Sequence, residues 1–144
     1  MVATIVAGSG LPETPIFLEA VNGTGTTGTV RPNRTSAPLY AGSSGHFLNA
    51  DAFTAPTPGQ WGNAARDSII GPDTFTFNAS ASRTFRVGKR LNLDIRVDAT
   101  NVMNHPVYSA YNTVLNPVGT NQTFGLPVSV AAMRSLQTTA RLRF

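Results

Sequence analysis

The chain has 144 residues, of which 41% are hydrophobic and 12% charged, and it carries a formal net charge of +4. Mean hydropathy is −0.04, and no apolar run nears the ~18 residues of a transmembrane helix, so any membrane span would have to be a β-strand. The absence of cysteine excludes a disulfide scaffold and thiolate metal sites. The basic residues are dispersed apart from Arg83, Arg86, Lys89 and Arg90, which have only Phe85 among them, so no nucleic-acid partner is expected.

In chain order, residues 2–7 read as the end of a strand, closed by Gly8-Ser9-Gly10 and Pro12. They lack the basic start and the apolar length of a signal peptide. An exported protein is therefore expected to begin upstream of residue 1. Residues 11–73 are rich in Gly, Pro, Asn and Thr and hold no period for long, which predicts a long irregular connection.

Alternation then takes over. In 74–85 the odd positions include Phe75, Phe77, Ala79, Ala81 and Phe85, with Arg83 the exception, and the even positions are Thr, Asn or Ser. In 91–100 the odd positions are Leu91, Leu93, Ile95, Val97 and Ala99, set against Asn92, Asp94, Arg96, Asp98 and Thr100. Period two marks both segments as strands. Both carry their apolar residues at odd numbers, so an antiparallel hairpin keeps them on one face only if the loop has an odd number of residues, 87–89 or 86–90. A second long connection, 101–134, precedes the last strand, 135–144. There Leu136, Thr138, Ala140, Leu142 and Phe144 face one way and Gln137, Thr139, Arg141 and Arg143 the other. Pairing 91–100 with 135–144 would bring Asp94 and Asp98 onto the face of Arg141 and Arg143, and opposite charges across strands favour that register. The expected fold class is all-β, an antiparallel meander of about four strands with long loops. The strand lengths suit a tilted bilayer crossing.

No motif points to catalysis. Gly23-Thr24-Gly25-Thr26-Thr27-Gly28 matches GxGxxG, but a dinucleotide site needs a strand before it and a helix after it, and Val30-Arg31-Pro32-Asn33 follows instead. The tripeptides beginning at Asn22, Asn33, Asn78 and Asn121 match an N-glycosylation pattern, as expected by chance in so Asn- and Thr-rich a chain. His46 and His105 have no metal-ligand spacing. Ser43, His46 and Asp51 could be assembled into a triad on paper, but no strand–turn–helix elbow presents a nucleophile. No enzymatic activity, metal or cofactor is expected.

Several blocks occur in order: Gly62-Asn63-Ala64-Ala65-Arg66-Asp67-Ser68-Ile69-Ile70-Gly71-Pro72, then Asp98-Ala99-Thr100-Asn101-Val102-Met103-Asn104-His105-Pro106, Phe124-Gly125, Arg134-Ser135-Leu136-Gln137 and the closing Arg141-Leu142-Arg143-Phe144. Ser9-Gly10-Leu11-Pro12 and Gly28-Thr29-Val30-Arg31-Pro32 extend the set almost to the start. Together they resemble the C-terminal barrel region of TonB-dependent outer-membrane receptors, in particular the Oar-like group with its carboxypeptidase-regulatory-like domain. That pattern usually has Asn where Asp67 stands.

The resemblance implies a fragment of a transmembrane β-barrel in the bacterial outer membrane, taking part in active uptake of an unidentified nutrient and not functional alone. It implies that Leu136, Ala140, Leu142 and Phe144 belong to the signal read by the barrel-assembly machinery. Phe75, Phe77, Leu91, Leu93, Ile95 and Val97 would face lipid. Tyr40, Phe47, Trp61, Tyr108 and Tyr111 are the outer-loop candidates for ligand contact. The implied partners are outer-membrane lipid, the remaining strands and plug of a parent chain, and TonB through a preceding N-terminal part. Alternation alone is equally compatible with a secreted β-sandwich binding module, whose apolar face would be a core.

Overall fold

A computed structural model describes residues 1–26, 28–42, 45–116 and 121–144. Among them lie ten strands: β1 (Val2–Gly8), β2 (Pro12–Glu13), β3 (Ile16–Phe17), β4 (Asn33–Arg34), β5 (Phe53–Thr54), β6 (Ile69–Ile70), β7 (Thr74–Arg86), β8 (Asn92–Thr100), β9 (Val114–Leu115) and β10 (Ser135–Arg143). The one helical element among the described residues is a 3-10 turn, Ala50–Ala52. The fold is all-β. It divides into two compact units, residues 1–8, 73–107 and 130–144, and residues 9–72 and 108–129.

The first unit is a four-stranded antiparallel sheet in the order β1-β7-β8-β10, open at both edges and not closed into a barrel. Its register carries the period-two pattern across β7, β8 and β10, and places Ala3, Ile5 and Ala7 of the mostly apolar β1 on the same face as the apolar residues of β7. Residues directly opposite in an antiparallel pair share a face. Ile5 lies opposite Phe77, Ala79 opposite Ala99, Ala81 opposite Val97 and Phe85 opposite Leu93, while Ala140 lies opposite Ile95 and Leu142 opposite Leu93. One face is thus apolar from β1 to β10, with Arg83 and Thr138 as the polar positions among the residues of β7, β8 and β10 on it.

The β7–β8 hairpin has the odd loop length that the shared parity demands, but its limits differ from either expected set. Arg86 pairs with Asn92, leaving five residues, 87–91, between them. The Val87 N–H donates to the Leu91 carbonyl at 2.8 Å, and Gly88 turns the chain at φ 89°. Only glycine reaches that conformation without a Cβ penalty. Leu91 consequently belongs to the turn, not to strand β8, which corrects its placement among the strand residues.

Asn101 ends β8 in the left-handed region at φ 47°. It is 4% exposed. Its N–H donates to Asn78 Oδ1 at 2.9 Å, its Nδ2 donates to the His105 carbonyl at 2.8 Å, and its Oδ1 accepts from the His105 N–H at 3.0 Å. Asn104, at φ 54°, accepts from the Arg134 N–H through Oδ1 at 3.1 Å. Short polar side chains tolerate this backbone region and satisfy local amides, which is why asparagine stands at these places.

The second unit corrects the expectation of irregular connections. Residues 9–72 and 108–129 close around a core of Phe17, Val21, Val30, Leu48, Ala52, Phe53, Ala64, Ile69, Leu115 and Phe124. Two-residue ladders lace it: β2 with β6, β4 with β5, and the parallel pair β3 with β9. Phe53 and Phe124 meet edge to face at 5.8 Å, a favoured aromatic geometry, and the Arg34 guanidinium sits 5.5 Å above the Phe53 ring. Glycine allows the closest approaches. A Cβ at Gly62 would lie 1.8 Å from the Arg31 carbonyl oxygen, and one at Gly10 1.8 Å from that of Gly71.

Candidate functional site

The sheet offers one extended feature. Phe75, Phe77, Leu93, Ile95 and Val97 share its apolar face with Leu136, Ala140 and Leu142. At the β10 edge Leu136 is 68% and Leu142 54% exposed. Phe144 follows the last strand residue, Arg143, and is fully exposed. A soluble monomer seldom leaves so continuous an apolar surface uncovered, because each Å² in water costs about 25 cal/mol.

Across β7, β8 and β10 the opposite face is polar and internally paired, while β1 adds the exposed Val2 and Val6 to it. Arg141 lies opposite Asp94 and Gln137 opposite Asp98. Asp94 accepts from Thr84 Oγ1 at 2.5 Å and forms an ion pair with Arg143 at 2.6 Å. Arg96 and Asp98, two apart on β8, pair at 2.8 Å. Like the apolar face, this row follows from alternation: polar and charged residues at even positions of β8 meet those at odd positions of β10 across the ladder.

The two long insertions leave the sheet at the same end. Gly8 of β1 pairs with Thr74 of β7, and Thr100 of β8 pairs with Ser135 of β10. The short hairpin 87–91 lies at the other end of β7 and β8.

Within the second unit the five aromatic candidates separate. Phe47, Tyr108 and Tyr111 come together: Phe47 stacks on Tyr111 at 5.1 Å and is tilted against Tyr108 at 5.8 Å. Tyr40 stands apart, its hydroxyl oxygen accepting from the Ile70 N–H at 2.8 Å. Trp61 is 60% exposed and lines a different cleft with Arg31 and Arg66. Beside the aromatic group, the Tyr111 N–H donates to both oxygens of Glu13, at 3.2 and 3.3 Å. Partial burial pushes the Glu13 carboxyl up, and this backbone bond opposes the rise.

The histidines have structural partners. His46 Nδ1 bonds the Phe124 carbonyl, and the His105 ring meets Phe75 edge to face at 6.3 Å. Ser43 of the paper triad and Thr27 of the glycine motif lie outside the described residues. Gly23 and Gly25 adopt left-handed turns at φ 86° and 75°. Among the described residues no cluster of three or more His, Cys, Asp or Glu side chains is placed to hold a metal.

Asp67, where the resembled pattern has Asn, sits at φ 56°. It accepts from Thr14 Oγ1 through Oδ1 and donates to the same hydroxyl through its N–H, both at 2.9 Å. Asn and Asp both tolerate that backbone. Sequence reasoning missed this pair, and Asn78 with Asn101, because each joins residues far apart in the chain through single side chains that carry no periodic signal.

Neither a curated protein nor a solved structure matches the chain. The model of a family described as outer membrane beta barrel domain matches residues 1–137, a stretch that takes in β1, β7, β8 and the start of β10 together with both insertions. The chain therefore belongs to the outer membrane beta barrel domain family and is a protein of the bacterial outer membrane.

Proposed function

We propose that the chain is the C-terminal barrel segment of a TonB-dependent receptor of the Oar-like group, serving active uptake of a nutrient. The observation that carries this reading is the single apolar face running across β1, β7, β8 and β10, with both long insertions at one end and the short hairpin at the other. Outer-membrane barrels have this arrangement: lipid outside, polar lumen inside, long outer loops and short periplasmic turns. On this reading Phe75, Phe77, Leu93, Ile95 and Val97 face lipid, and the Asp94–Arg143 row faces the lumen. Leu136, Ala140, Leu142 and Phe144 belong to the signal that the assembly machinery reads.

Four strands fall short of the ~8 of the smallest barrels, so the segment transports only as part of a parent chain. That parent supplies the remaining strands, a plug and the contact with TonB. Energy delivered through TonB moves the plug, and ligand is held by the second unit, residues 9–72 and 108–129.

The test has two parts. The gene upstream of codon 1 is expected to encode a signal peptide, a plug and further alternating strands. Deleting Phe144 from the parent is expected to reduce sharply the heat-modifiable barrel in isolated outer membranes. Undiminished assembly without Phe144, or an upstream region with no plug, would contradict the proposal.

A further inference from the structure

Trp61 and Arg31 are brought together by an unusually close backbone contact. Gly62 packs directly on the Arg31 and Pro32 carbonyls, where a Cβ would lie 1.8 and 2.5 Å from the two oxygens. Three hydrogen bonds fasten the same two segments: Ala64 N–H to the Pro32 carbonyl at 3.0 Å, Asn63 N–H to Asn33 Oδ1 at 3.0 Å, and Arg34 N–H to Asn63 Oδ1 at 2.7 Å. Arg31 spends one of its five guanidinium donors on the Ala64 carbonyl, at 2.8 Å.

This frame holds open a cleft of about 280 Å³ lined by Trp61, Arg31, Arg66, Ile16, Val30 and Thr14. The Thr14 hydroxyl donates to Asp67 Oδ1 and accepts from the Asp67 N–H. Among the described residues neither Arg31 nor Arg66 forms an ion pair. The cleft thus combines two guanidinium groups without an ion pair among the described residues, an exposed indole, and apolar lining from Ile16 and Val30.

We infer that this cleft binds a small organic anion, a carboxylate attached to a single six-membered ring. Guanidinium groups present planar, forked donors that match a carboxylate in two-point contact. The indole face and the apolar lining take the flat side of a ring, whose desolvation in turn strengthens the charge contact. A cleft of this size lies at the small end of ligand pockets and accommodates one ring, not a chain of them. The inference deepens the uptake reading and rests on it, since it supplies the substrate class for a ligand held by the second unit.

The ring could belong to an acidic sugar or to an aromatic acid, and the experiment separates the two. Full-length receptor in detergent micelles is titrated calorimetrically with glucuronate, benzoate and, as the neutral control, glucose. At least one carboxylate is expected to bind saturably, at least about tenfold more tightly than glucose, as charge-assisted hydrogen bonds imply. Arg66→Gln should weaken it about tenfold. Trp61→Leu should weaken it similarly, and Trp61→Phe, which keeps a ring face, should restore most of the affinity. Heat modifiability of each sample reports the barrel separately. A heat-modifiable receptor that binds neither carboxylate, or binds glucose as well as glucuronate, overturns the inference and leaves the barrel reading standing. Binding that is unchanged in Arg66→Gln and Trp61→Leu overturns it equally. A receptor that is never heat-modifiable overturns the barrel reading, and the inference with it.

Discussion

Asn78 in the first half of β7 accepts the backbone N–H of Asn101 at 2.9 Å and so fixes the point where β8 leaves the sheet. Asn101 is itself buried and left-handed, and its amide closes a turn onto His105. Asn101→Ala should therefore combine left-handed strain of about 1–2 kcal/mol with the loss of two part-buried hydrogen bonds to the His105 backbone, about 3 kcal/mol in all. Asn101→Gly removes the strain but not the lost bonds and should recover about 1 kcal/mol. Urea unfolding of the receptor from lipid vesicles measures the difference, and equal destabilisation by the two variants would contradict this role for the backbone.

A second expectation concerns Gly62, which packs on backbone atoms that cannot rotate away. Gly62→Ala should cost about 1–3 kcal/mol through forced backbone shifts. A Cβ at Gly28 would meet nothing within 4 Å, so Gly28→Ala should change stability by less than about 0.5 kcal/mol. Protease susceptibility of the loop unit should rise for the first variant only.

Glu13 gives the loop unit a pH dependence of defined sign. Its carboxyl titrates above the ordinary carboxylate value when folded, so the folded state holds a proton that the unfolded chain has already lost. The stability contributed is fully present below the unfolded value and is lost as pH rises through the raised folded one. Glu13→Gln should abolish this slope. Amide exchange in residues 9–72 and 108–129, compared between wild type and Glu13→Gln, should show the variant better protected at pH 7 and no better protected at pH 4. Better protection of the wild type at pH 7 would reverse the sign and refute the cause.

Strands β7, β8 and β10 were legible in the sequence because each alternates over at least six residues, and alternation is what a sheet with unlike faces imposes. By contrast, β1 was marked only by a short apolar run closed by glycines and a proline. The parity shared by 75–85 and 93–99 even constrained the hairpin to an odd loop. Its limits were missed by one position because Leu91, apolar and in phase, looks like a strand residue until the Val87–Leu91 bond is seen. The second unit was not legible. Its core residues Phe17, Leu48, Phe53, Ile69 and Phe124 come singly from five separate segments, and ladders of two residues are too short to show a period. For the same reason the aromatic candidates could be named as a set but not grouped: nothing local tells that Phe47 stacks on Tyr111 while Trp61 stands beside Arg31.

Substitutions on the two faces of β8 should differ greatly in cost. On the proposed reading Ile95→Arg puts a charge on the lipid face near the midplane, at about 2–4 kcal/mol. Asn92→Ser, a polar exchange on the opposite face, should cost under about 0.5 kcal/mol. Folding yields into vesicles should rank the variants accordingly, and similar yields would count against the assignment of faces.

The most direct test of the membrane-barrel account is solvent accessibility along β8. Nitroxide labels placed singly at 93, 95 and 97 and at 94, 96 and 98, in the receptor reconstituted into lipid vesicles, are exposed to oxygen, which partitions into the bilayer, and to a water-soluble nickel complex. The account predicts oxygen accessibility that is high at 93, 95 and 97 and low at 94, 96 and 98, with nickel reaching none of the first three. A β-sandwich would bury the odd positions in a protein core. Low accessibility to both reagents at 93, 95 and 97 would therefore contradict it.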